Sequence, residues 1–166
     1  MPTGRGTGVT HVGGVASCDM TIVDELLANP GLYLGVDTLV GSDDRGAARI
    51  VITPLPGDGG VTIDYEVLNP AHPDRLRGHV EHTIVARTHS GRNVMVIGHP
   101  HADTVAILRE SATEPGTFEL TDDGSPFPMK VVVSMPAPGQ LRHAWWYGRP
   151  GDDAVERDVT LADRVG

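Results

Sequence analysis

Two short stretches concentrate the side chains able to do chemistry. One is "QLRHAWWYG", residues 140–148, which sets both tryptophans and one of the three tyrosines beside a histidine and an arginine. The other is "GHVEHTIVART", residues 78–88, with two histidines around a glutamate. Read as strands, each presents alternate side chains to opposite faces. In the first, Leu141, His143, Trp145 and Tyr147 form one row; Gln140, Arg142, Ala144 and Trp146 form the other. The first row is the more apolar and is assigned to the interior, which leaves Trp146 to cover the outside. In the second, Val80, His82, Ile84 and Ala86 oppose the wetter row His79, Glu81, Thr83, Val85 and Arg87, so His82 is expected to point inward. "VTIDYEVLN" adds an inner row of Val61, Ile63, Tyr65 and Val67, and "DTVAILRE" places Arg109 on the face of Val105 and Ile107.

The expected interior therefore mixes Tyr65, His82, Arg109, His143, Trp145 and Tyr147 with aliphatic walls. A histidine of near-neutral pKa can move a proton, a tyrosine hydroxyl can donate to a developing oxyanion, and an arginine can anchor a carboxylate or enolate. His82, His143 and Tyr65 are the catalytic candidates, with Arg109, Trp145 and Tyr147 holding substrate. Such a set suits isomerisation, cyclisation, dehydration or decarboxylation and needs no cofactor. The plain structural reading is that the two histidines bond each other or a hydroxyl and plug the core.

Other chemistries have less behind them. His99 and His101 in "GHPH" have chelating spacing, with His79 or Glu81 as a third ligand, but Pro100 lies between them and exposed loop histidines are the commoner case. Haem held through His143 or His82 ranks below that. No Gly-x-Ser-x-Gly elbow occurs, and Cys18 has only His11 near it in sequence. The inner rows carry no carboxylate pair for glycoside chemistry. "GRGTGV" at the start is no dinucleotide loop, which requires a preceding strand.

The chain that must position these residues has 166 of them, enough for one domain with a sizeable core. Its formal charge of −9 and pI near 5.2 argue against a nucleic-acid partner. No apolar run approaches the roughly 20 residues of a membrane span, and a cytoplasmic location is expected. The single cysteine excludes an internal disulfide framework. It sits in "VASCDM", which matches a lipoprotein processing site, but the glycine-rich "GRGTGVTHVGG" before it lacks the apolar stretch of a signal. Residues 1–20 read as an arm, flexible or folded over the body as a lid or a clasp on a partner in a homodimer.

From residue 21 onward one domain is expected. "MTIVDELLANPG" predicts a short helix with Ile22, Val23, Leu26 and Leu27 on one face and Asn29-Pro30-Gly31 as its stop. Thereafter turn clusters such as "GSDDRG", "PGDGG", "THSGR" and "PAPG" punctuate runs rich in Val, Ile, Thr and Tyr. The runs are 32–40, 47–55, 61–68, 75–87, 93–99, 103–111, 116–120, 128–135, 140–148 and 154–162. Short connections make neighbours antiparallel. The fold expected is all-β: about ten strands in an antiparallel up-and-down β-barrel with one short N-terminal helix.

This order, "VDELLAN" followed by ten antiparallel strands over 32–162, resembles the calycin group of lipocalins and fatty-acid-binding-protein-like barrels. The resemblance implies an internal pocket for a hydrophobic or amphipathic small molecule. The haem-binding nitrobindins of that group open their first strand with Gly-x-Trp-x-Gly; here "GLYLGVDTLVG" has Tyr33 and Gly35 but no tryptophan, a departure that counts against haem. The function expected is a cofactor-independent cyclase, isomerase or lyase acting on such a molecule, of the kind used in bacterial secondary metabolism. The alternative is a non-catalytic carrier or sensor of a hydrophobic ligand such as a lipid. A barrel without a pocket, dimeric through its arm, is the third option.

Overall fold

A computed structural model describes residues 20–68, 77–98, 105–120 and 128–166. Of the N-terminal arm only Met20 is among them, and His99 and His101 fall outside them, so the lid and metal expectations lie beyond the described residues.

The helix α1 spans Ile22–Ala28, shorter than the apolar run that announces it. Thr21 and Asp24 form a reciprocal capping box: the threonine side chain accepts from the Asp24 amide while the aspartate accepts from the Thr21 backbone. At the other end Asn29 turns the chain out of the helix ahead of Pro30. Ten strands follow: β1 Gly31–Leu39, β2 Arg45–Pro54, β3 Gly60–Leu68, β4 Arg77–Arg87, β5 Asn93–Gly98, β6 Val105–Glu110, β7 Thr117–Leu120, β8 Met129–Ala137, β9 Gln140–Tyr147 and β10 Val155–Arg164. Each matches a run between turn clusters, with ends moved by up to two residues.

Every strand pairs antiparallel with its neighbours in sequence, and β1 closes on β10, giving a barrel without an edge. The seam between β1 and β10 is tight. Gly35 opposes Ala162, and a Cβ on Gly35 would overlap the Leu161 carbonyl, so only glycine allows the two backbones to approach there.

The helix stoppers one end. Ile22, Val23 and Leu26 enter the barrel where β1 starts and β2 ends, and Arg87 at the end of β4 ties the helix down through Asp24 and Thr21. Beneath it lies a dry core that includes Ile50, Ile52, Ile63, Val85, Leu108 and Phe118. Toward the opposite end the inner rows turn polar, with Glu81, Thr83, His143 and Thr160 all buried.

Candidate functional site

The polar end holds a cavity of about 280 Å³, formed where β1, β3 and β9 end and β2, β4 and β10 begin. Tyr65 and His79 form part of its wall, Asp37 and Asp158 contribute carboxylates from the paired strands β1 and β10, and Leu39 and Val67 give it apolar surface. Asp44, Arg45 and Tyr147 line it as exposed residues, so they mark the mouth.

One wall is built on a buried carboxylate. Glu81 on β4 is fully buried, yet both oxygens are engaged. Oε2 accepts from Trp145 Nε1 at 3.0 Å and lies 2.9 Å from His79 Nε2; Oε1 accepts from Thr83 Oγ1 at 2.8 Å. His143 Nε2 stands 3.5 Å from Oε1, an ion-pair distance rather than a hydrogen bond. Burial alone would raise the Glu81 pKa, but the His143 charge beside it and the bond and charge of His79 overcome it and hold the group well below its ordinary value of 4.5. The effect on His79 is reciprocal. Burial pulls its pKa down, and the bond and charge of Glu81 more than restore it, leaving it above 6.5. His79 is a quarter exposed at its side chain and faces the cavity, so the protein's interior fixes one ring nitrogen while the ring meets whatever occupies the space.

The other wall is a hydroxyl–carboxylate cluster. The Tyr65 hydroxyl lies 2.6 Å from Thr160 Oγ1 and donates to Asp37 Oδ1 at 3.1 Å; Thr160 donates to the same oxygen at 2.9 Å. Burial, then the nearby Asp37 charge, drive the Tyr65 pKa far above 10, so it stays a phenol. Asp158 is next to this cluster. Desolvation and the charge of Asp37 push its pKa up to about 6, against the pull of His79 and His143. The site thus sets an imidazole of raised pKa beside a carboxyl whose pKa is raised to about 6, an acid–base pair on one cavity.

The structure brings together four of the six residues expected from the sequence. Tyr65, His143 and Trp145 are buried on the inner face, and Tyr147 continues that row to the mouth, where it is 43% exposed. His143 is not part of the cavity wall; it lies behind Tyr65, ring centres 5.0 Å apart. Trp146 covers the outside as expected, with Lys130 Nζ 4.4 Å from its ring centre.

The facing of His82 and Arg109 is corrected. His82 points outward and bonds the equally outward Asp64 at 2.7 Å. Its strand turns the wetter row, His79, Glu81, Thr83 and Val85, into the barrel, because the histidines, Trp145 and Thr83 satisfy the glutamate there. Arg109 likewise lies outside with Val105 and Ile107, while Ala106 and Leu108 face in. No arginine from β6 therefore reaches the interior to anchor a carboxylate. His79, Glu81, Asp37 and Asp158 are functional candidates that residue alternation judged by hydrophobicity did not select. For Asp158 the signal is hidden by a bulge between Glu156 and Asp158: Glu156 opposes the outward Trp146 and binds Arg142, whereas Asp158 opposes the inward Trp145.

No family model and no curated protein matches the chain in sequence. Solved structures do match in shape. Rv2717c from M. tuberculosis superposes with a TM-score of 0.60 at 12% identity, over 89% of this chain and 100% of that one. The S-type phycobiliprotein lyase CPES from Guillardia theta superposes with a TM-score of 0.55 at 11% identity, over 89% of this chain and 94% of that one. The fold is a calycin-like barrel. At these identities the likeness extends to architecture and not to the site, whose residues stand on their own geometry. No described helix is long and apolar enough to cross a membrane.

Proposed function

We propose that this barrel admits a small amphipathic molecule through its polar end and moves a proton on it, as an isomerase, cyclase or lyase working without a bound cofactor. One observation carries the reading: His79 faces the cavity with its Nε2 held 2.9 Å from a buried glutamate, and Asp158, with a pKa near 6, shares the same space. Glu81 orients the imidazole and favours its protonated form, as the buried carboxylate of a catalytic histidine pair does. His79 and Asp158 can then act as acid and base, and Tyr65, a neutral phenol, would turn its one hydroxyl proton from Asp37 to an enol or enolate oxygen. In this assignment His79 takes the place expected of His82, Tyr65 keeps its expected role, and His143 acts through Glu81 as a positioning residue. The likeness to a barrel described as a phycobiliprotein lyase supports small-molecule handling by this architecture. The competing reading is a carrier with the same cavity.

Proton transfer to carbon separates the two. 2-Tetralone, an enolisable ketone of suitable size, should exchange its α-protons with D₂O faster in the presence of the protein than in buffer. His79→Gln should lower the protein-dependent rate by about 10²-fold, with its circular dichroism spectrum and a cooperative melt above the assay temperature retained. Exchange no faster than buffer, or unchanged in the folded variant, overturns the catalytic reading in favour of the carrier.

A further inference from the structure

The charges around the cavity are lopsided. Three carboxylates line it, from Asp37, Asp44 and Asp158. Arg45 is the one arginine or lysine lining it among the described residues; it is exposed at the mouth, next to Asp44 in sequence, and donates to Thr38 Oγ1 at 3.3 Å. Deeper in, the negative groups are answered unequally. Glu81 has two histidines, a tryptophan and a threonine. Asp37 has two hydroxyls and, among the described residues, no ion pair. Asp158, half-buried, takes no hydrogen bond from a described residue and feels His79 and His143 only through space. The two imidazoles nearest Asp158 are already drawn on by Glu81, so the inner end sets three carboxylates against two histidines, and an added positive group would balance it.

We infer that the cavity is built for a ligand whose inner end is cationic, a protonated amine or similar onium group, carried on a small aromatic or aliphatic body. The charged end would lie between Asp37 and Asp158 beside the Tyr65 ring, whose face favours a cation. The body would contact Leu39 and Val67 and leave past Tyr147. An anionic amphiphile such as a fatty acid meets like charge from two strands and, among the described residues, no inner arginine. This rests on the reading of the cavity as a binding site, and it names the class of molecule that enters.

Binding should also follow protonation of Asp158. The groups around it are Asp37 on β1, Tyr65 on β3, His79 and Glu81 on β4, and His143 and Tyr147 on β9. As pH falls through about 6 Asp158 takes up a proton, while a primary amine stays charged, so the preference for the amine should fade.

Three probes that differ only at the end of an indolylethyl group test this by calorimetric titration at pH 8: tryptamine, the neutral tryptophol, and indole-3-propionate. Tryptamine should bind at least about 10-fold tighter than tryptophol, and indole-3-propionate at least about 10-fold weaker than tryptophol. Asp158→Asn should cost tryptamine about 10-fold while leaving tryptophol within about twofold. Equal affinities, or the carboxylate binding best, overturn the cationic class while leaving the binding site standing. An unchanged amine preference in Asp158→Asn also overturns it. Binding by none of the three at millimolar concentration overturns the site itself.

Discussion

At the helix-capped end of the barrel, Val23, Leu26, Ile50 and Ile63 are fully buried and their side chains present only carbon to one another. Toward the other end the same ring of strands buries Glu81, His143 and Thr160 equally well, but each against specific donors, acceptors or ion partners. The first arrangement is held by area removed from water, which tolerates many side chains of the right volume. The second depends on particular atoms meeting particular atoms, and any one missing partner leaves a desolvated group behind. A barrel that needed only to fold could have continued the aliphatic packing to the mouth. The polar end gives up non-specific stability and in exchange holds an imidazole and two carboxylates beside an open space.

The sharpest way to break this contrast is to remove its centre. Glu81→Ala leaves His79, Trp145 and Thr83 without their acceptor and His143 without its counter-charge, and should destabilise the fold by about 3–5 kcal/mol in urea unfolding at pH 6. The pH dependence has a definite sign. Glu81 has a lowered pKa, so its contribution is present above about 4.5 and is lost as pH falls below that; His79 has a raised one, so its share is present below 6.5 and is lost as pH rises past its folded value. The pair therefore contributes most between about pH 4.5 and 6.5. Glu81→Gln should flatten both limbs. A variant as stable as wild type at pH 6 would show the polar end to be no more demanding than the aliphatic one.

The contrast also explains what could be read in advance. Turn clusters and β-branched runs gave all ten strands and their order, because closing a meander depends on turn chemistry and period-two patterning, both local. The capped helix was equally legible from Ile22, Val23, Leu26 and the Asn29-Pro30 stop. At the dry end, hydrophobicity and burial coincide, so Val61, Ile63 and Leu141 were placed correctly. At the wet end they part. On β4 the row containing Glu81 looks like an outer face until Trp145 and His143, more than 60 residues away, are known to meet it. On β6 the bulky Val105 and Ile107 face out and the smaller Ala106 faces in. On β10 one bulged residue moves Asp158 inward and Glu156 outward. Long-range partners and a shift of register are invisible to a rule that reads one strand at a time.

A smaller effect of opposite sign would sharpen the comparison. Asp158 pays for its position: its pKa rises from 3.8 to about 6, so its ionised form disfavours folding, and stability from this group falls as pH climbs from about 4 to 6. Asp158→Asn should therefore stabilise the protein at pH 8, by about 1–3 kcal/mol, and leave stability at pH 3.5 nearly unchanged. Thermal melts at the two pH values measure the difference. A loss of stability at pH 8 would mean that the carboxylate is satisfied within the protein and is not held in reserve for a ligand.

The smallest expected effect lies at the closed end, where the helix is a stopper and not part of the site. Thr21→Ala removes the capping hydroxyl, which accepts from the Asp24 amide and from Arg87. Loss of an N-cap of this kind costs about 1 kcal/mol, which for a chain of this size lowers the melting temperature by roughly 2–4 °C. Asp24, held at about 2 by Thr21 and Arg87, stays charged in wild type from pH 5 to 8, so the deficit should be flat over that range. Tryptophol affinity should not change, because the dry core separates α1 from the cavity. If loosening the helix instead alters binding at the mouth, the two ends are mechanically coupled and the aliphatic half transmits strain to the polar one rather than isolating it.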